Sequence, residues 1–249
     1  MRRSKGFKGF TLIELMIMIA IIAIIAAIAI PGLLQAQRAS NERNASASLK
    51  TMATANTDFR SNDRDGNHIN DFWTADVAGL YTIYPPAGNS GAAVKLIELS
   101  IAAADGTNKG DMTPDTASNQ PGSKVITTYN RSAPKAGYWY YALLSDASTG
   151  TAADYKINTD GGGANHNASA FAFGAYPDSF SAGRNMFLIN EGNTMFKRQV
   201  LNNVRAGTGN PPTAPGLPIS TNSGFLPTSD DPSIWPSDTS LINDYSKMD

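Results

Sequence analysis

From Leu12 to Ile30 the chain runs for 19 residues with a single ionisable side chain, Glu14, and the run ends at Pro31. At about 1.5 Å of helical rise per residue, this segment approaches the roughly 30 Å thickness of a bilayer core and can span it as a helix. Arg2, Arg3, Lys5 and Lys8 stand in front of it, whereas Arg38 and Arg43 come well after. Cations before a span hold the N-terminus in the cytoplasm and send the chain beyond Pro31 outward. The rest of the chain must therefore fold on the far side of a membrane, carried on an apolar rod.

Glu14 does not belong in an ordinary anchor. A charge inside a span costs on the order of a few kcal/mol on insertion scales, so such residues are usually paired, and Glu14 needs a cation. A secretory signal is cut at small residues after its apolar core; here the processing point, Gly9 followed by Phe10, lies before it. Cutting there leaves the apolar helix on the mature protein.

The stretch Lys8-Gly9-Phe10-Thr11-Leu12-Ile13-Glu14-Leu15, followed by the apolar run and Pro31, resembles the class III signal of type IV prepilins. The resemblance implies that a prepilin peptidase cuts between Gly9 and Phe10 and methylates the new amine of Phe10. It implies that Glu14, then the fifth mature residue, meets the N-terminal amine of a neighbouring subunit during filament assembly. Such a pair repays desolvation only in good geometry, so it favours correct register more than net stability. Pro31 also matches the family, where helix breaking near this point is associated with filament packing; it lacks an N–H and disturbs the preceding turn. The partners implied are copies of the chain itself, the peptidase, and pilus or secretion assembly machinery in the inner membrane.

The chain divides into a leader (1–9), a transmembrane and filament-core half-helix (10–31), an amphipathic half-helix (32–60), a globular head (61–200) and a Pro-rich C-terminal wrap or tail (201–249). Ala45, Leu49, Met52, Asn56 and Phe59 recur at helical spacing and form a stripe fit to pack on a sheet. Val94 to Ile101 suit a short helix stopped at Asp105-Gly106, and 105–136 read as a loop with one short strand at 125–129. Strands are predicted at Tyr138–Leu144, covered on both faces, at Ala170–Tyr176, whose large and small residues alternate, and at Met186–Ile189 and Thr194–Arg198 around the turn Asn190-Glu191-Gly192-Asn193. Asp154–Asn158 is a candidate short strand pairing with the first. The expected fold class is thus α+β: a long N-terminal helix on an antiparallel sheet of about four strands, with long loops. Half of the 14 prolines fall between Pro211 and Pro236, which forbids long ladders or helices there. Ile219, Phe225, Leu226, Ile234 and Trp235 are candidate anchors for that wrap, disorder is the competing reading for 206–224, and a short helix is expected near Ser240 to Tyr245.

There is no cysteine, so no disulfide closes the loops, unlike many type IV pilins. One substitute is a metal. Asp63, Asp65 and Asn67 alternate, Asp71 comes four residues later, and Ile69 between them turns inward, a spacing that lets oxygens converge on calcium. It resembles the short Asp-x-Asp-x-Asp/Asn loops of extracellular repeat proteins, except that His68 stands where glycine is usual. The run also makes a good solvated turn without an ion, and both readings stand.

Two histidines, His68 and His166, the absence of a nucleophile elbow, a His-Glu-x-x-His helix or a phosphate loop, all speak for a non-enzyme. His166, between two asparagines, reads as a surface loop residue. Removing residues 1–9 takes away four cations, leaving 16 basic against 21 acidic residues, a mature charge of −5, which disfavours nucleic acid. The reading is a structural subunit of a type IV pilus-like filament, inserted in the inner membrane and then extracellular in a pilus. Its alternatives are a pseudopilin of a type II secretion system, forming a periplasmic filament, and a membrane-anchored extracytoplasmic binding protein.

Overall fold

The computed structural model describes residues 9–64, 68–74, 76–81, 95–105, 133–143, 145–146, 153–154, 166–179, 181–199, 234–235 and 245–248. Helix α1, Leu12–Ser61, continues through Pro31 without interruption. Pro31 removes one N–H from the ladder, so the Ala27 carbonyl loses its usual partner, but one missing bond does not divide a helix this long. In its second half Ala45, Leu49, Met52, Asn56 and Phe59 are all buried, as their spacing predicts.

This stripe lies against an antiparallel sheet of five strands, β2 (Tyr138–Ala142), β6 (Ala172–Pro177), β7 (Asn185–Asn190), β8 (Met195–Gln199) and β10 (Ser246–Met248). Their order across the sheet is β10-β8-β7-β6-β2. Every residue of β2 and β6 is buried, so both sheet faces are covered. The small residue at Gly174 has a physical reason. Its register partner is Tyr141, whose ring lies so close over Gly174 that a Cβ there would collide with it. Tyr141 in turn packs on Tyr176 at 5.4 Å.

The shorter elements are β1 (Phe72–Trp73) paired with β5 (His166–Asn167), a 3-10 turn (Ala78–Tyr81), helix α2 (Leu99–Ala102), and a small sheet of β3 (Ser145–Asp146), β4 (Ala153–Asp154) and β9 (Ile234–Trp235). Two expectations are corrected. Asp154 pairs with β3, not with the Tyr138 strand, because the free edge of β2 is taken by the chain at 104–105, where the Tyr140 N–H donates to the Ala104 carbonyl at 2.9 Å. His166 belongs to a strand rather than a surface loop. The helix expected near Ser240 to Tyr245 lies outside the described residues except for Tyr245, and the residues after it form β10, the fifth strand of the main sheet. Of the predicted anchors, Trp235 is buried edge-on against Phe196 at 5.7 Å. The strand at 125–129, the 206–224 segment, Ile219, Phe225 and Leu226 lie outside the described residues.

Without disulfides, polar side chains, buried at Asp105 and half-buried at Asn41 and Glu42, tie the loops. Asp105 Oδ2 accepts the N–H groups of Val77 (2.9 Å) and Ala78 (2.7 Å) at the start of the 3-10 turn. Glu42 accepts from the Arg184 N–H (2.9 Å) and Asn185 Nδ2 (2.8 Å), while Asn41 Nδ2 donates to the Ala182 carbonyl (2.9 Å). Hydrogen bonds of this kind to a carboxylate are the stronger class. The Asn41 and Glu42 bonds fix the head to α1 at the head's membrane-proximal end.

Candidate functional site

The processing and assembly residues gather at the start of α1. Gly9 and Phe10 are exposed and outside the helix. Thr11 is the N-cap, in extended conformation at φ −83° and ψ 152°, and it forms a capping box with Glu14. The Thr11 N–H and Thr11 Oγ1 each donate to Glu14 Oε2 at 2.8 Å, and the Glu14 N–H donates back to Thr11 Oγ1 at 3.4 Å. Two orphan donors of the first turn are thereby satisfied, and the bond proposed for cutting stands one residue outside the helical ladder. The carboxylate also sits at the positive end of the helix dipole, which favours its charge. Glu14 stands out in the sequence by its charge and Thr11 does not, although Thr-x-x-Glu before an apolar run is a recognisable capping signature.

Beyond Glu14 the helix offers nothing polar for a long distance. Its most apolar window has a mean hydropathy of 3.0 and is wholly unburied by the protein. Large apolar side chains are exposed from Phe10 to Leu34, including Leu33 at 69%. Among the described residues, no large apolar side chain of the head is comparably exposed. An apolar surface confined to one rod belongs in lipid or against other rods. Pro31 sits near the upper end of this surface, four residues above Ala27.

At the other end of α1, the predicted metal loop is only partly described. Asp63 and His68 both have positive φ, 45° and 66°, and the His68 N–H donates to Asp63 Oδ2 at 3.0 Å. His68 thus occupies the left-handed region that glycine would fill more easily. Asp63 Oδ1 is buried and has no hydrogen-bond partner among the described residues, the state expected of an oxygen that serves a cation. Asp71 is fully buried and its N–H donates to the Ile69 carbonyl at 3.1 Å. Asp65 and Asn67 lie outside the described residues, and among those described no three acidic, histidine or cysteine side chains converge. The neighbouring Asp58 is held below the usual carboxylate range, chiefly by its hydrogen bonds from Arg64.

Residues 1–30 match the prokaryotic N-terminal methylation motif, the class III signal of type IV pilins and pseudopilins. No curated protein and no solved structure matches the chain.

Proposed function

We propose that this chain, type IV pilin-like or pseudopilin by its N-terminal motif, is the structural subunit of a pilus-like filament and performs no catalysis. The motif supports an inner-membrane precursor processed by prepilin peptidase. The filament reading rests on one observation above all: the motif runs directly into a helix whose apolar side chains stay exposed from Phe10 to Leu34, while among the described residues no large apolar side chain of the head is comparably exposed. Leaving the bilayer, such a helix lowers its free energy only by packing on others like it. Glu14, capped by Thr11 and exposed, is the acid that receives the amine of a neighbouring copy's Phe10. Sheared surface material analysed by mass spectrometry tests this. The expected subunit begins at methylated Phe10; a chain that still begins at Met1 and never polymerises overturns the proposal. Fibres confined to the periplasm would select the secretion pseudopilin over the surface pilus.

For the loop after α1 we propose calcium, with Asp63 and Asp71 joined by Asp65 and Asn67 as the oxygen donors. The Oδ1 of Asp63, buried and without a hydrogen-bond partner among the described residues, supports it. A divalent ion there would do locally what the absent disulfide does in many type IV pilins.

A further inference from the structure

We infer that the outward face of the second half of α1 is an electrostatic docking surface for a second copy of this chain, with Arg43 and Lys50 as its contacts. The inference rests on the filament reading and adds to it a polar contact made by the head-bearing half of the helix. At about 100° per residue, Arg43, Ala47, Lys50 and Thr54 fall on one line, roughly opposite the buried line of Ala45, Leu49, Met52, Asn56 and Phe59. All four are exposed. Seven residues separate the two cations, about 10 Å along the axis, with only the small Ala47 on the line between them. Among the described residues neither cation has an acidic partner, whereas Arg64 and Lys135 do.

Three observations identify the occupant. The mature chain carries 16 basic against 21 acidic residues, so a bare pair of cations is the complement of its own surface. A cleft of about 420 Å³ opens beside Lys50, lined by Thr54, Leu96 and the Arg64-paired Asp58, and leaves room for a neighbouring head to approach the ammonium. Lipid does not compete for this face: Arg43 stands 13 residues above Ile30, roughly 20 Å, whereas the headgroup layer reaches about 5–8 Å beyond the hydrocarbon. The surface is also continuous with the exposed apolar rod below it, so one helix presents both contacts to neighbours.

The test uses the full-length chain in cells that assemble it. Fibre yield, and fibre survival in high salt, are compared for the natural chain, R43Q/K50Q and the charge-keeping R43K/K50R. We expect R43Q/K50Q to lower fibre yield about threefold or more, in the range of lost interfacial charge contacts, and R43K/K50R to keep it. Detergent-solubilised R43Q/K50Q should melt with the natural chain, since neither side chain touches the core. Zero-length carbodiimide coupling of fibres grown from mixed light and heavy nitrogen subunits should join Lys50 to an Asp or Glu of a differently labelled copy. Natural-chain fibres together with full yield and salt tolerance in R43Q/K50Q, or Lys50 coupled only within its own copy, overturn this inference alone. Absence of fibres from the natural chain overturns the filament reading and this inference with it.

Discussion

The Asn56 carboxamide pairs with the backbone of Trp73 in both directions: its Nδ2 donates to the Trp73 carbonyl at 3.0 Å and its Oδ1 accepts the Trp73 N–H at 2.9 Å. Asn56 is fully buried on the sheet-facing stripe of α1, and Trp73 packs edge-on to Phe59 one turn further along. A helix side chain here supplies what a neighbouring strand would. Asn56→Ala leaves a buried donor and acceptor unpaired at about 1–3 kcal/mol each. The expected total loss of about 3 kcal/mol corresponds to roughly 6–12 °C in melting temperature for a domain of this size. Thermal melts followed by tryptophan fluorescence check it, and a drop under about 2 °C would show that water replaces the carboxamide.

Much of the architecture was legible because burial imposes period. The stripe from Ala45 to Phe59, the doubly covered Tyr138 strand and the hairpin around Glu191-Gly192 follow from spacing alone. Alternation at Ala170–Tyr176 even anticipated the close approach that Gly174 grants to Tyr141. What escaped depends on partners distant in sequence. Nothing local says that Ala104 occupies the free edge of β2, that Ser246–Met248 closes the other edge, or that Asn56 binds Trp73. The N-terminal site was legible by motif through the charge of Glu14, whereas Thr11, which holds that charge, carries none of its own to mark it out.

Thr11→Val tests that holding role. The substitution keeps volume and removes the hydroxyl that donates to Glu14 and accepts its N–H. Loss of a cap costs about 1 kcal/mol, and the carboxylate then sits less well shielded in the membrane. Expected are normal insertion, a severalfold drop in sheared fibres, and recovery with Thr11→Ser. Immunoblots of membrane and sheared fractions read the split; full fibre yield from Thr11→Val would make the capping box incidental.

Acid should weaken the head through Asp58 and Glu98. Hydrogen bonds from Arg64 and from Lys135, respectively, hold these carboxyls below their ordinary values. A carboxyl depressed in the folded state stabilises above its unfolded pKa of about 4, and that contribution disappears as pH falls through the folded value. Arg64 and Asp58 side chains are 37% and 34% exposed, so screening limits this pair to about 1 kcal/mol at most. Arg64→Gln should therefore lower the melting temperature at neutral pH by up to about 2–4 °C. The difference from the natural chain should shrink as pH falls below the unfolded value and close once Asp58 is protonated in both. A gap that persists unchanged in acid would assign the effect to lost packing of the Arg64 stem.

Calcium removal is the sharpest test of the loop after α1. An ion bound only by the folded chain stabilises by about 2.7 kcal/mol at a hundred times its dissociation constant, which is roughly 5–10 °C here. Melts in millimolar calcium should exceed those in chelator by that amount, and magnesium, which demands a tighter octahedron, should restore less. Asp63→Asn keeps the acceptor of the His68 N–H but weakens a hard-cation ligand, so it should abolish the calcium response. Its melting temperature in chelator should equal or exceed that of the natural chain, because a buried carboxylate oxygen with no partner among the described residues is replaced by an uncharged amide. Coincident melts of the natural chain with and without calcium would leave the Asp63 oxygen as simple strain, and the loop as a solvated turn.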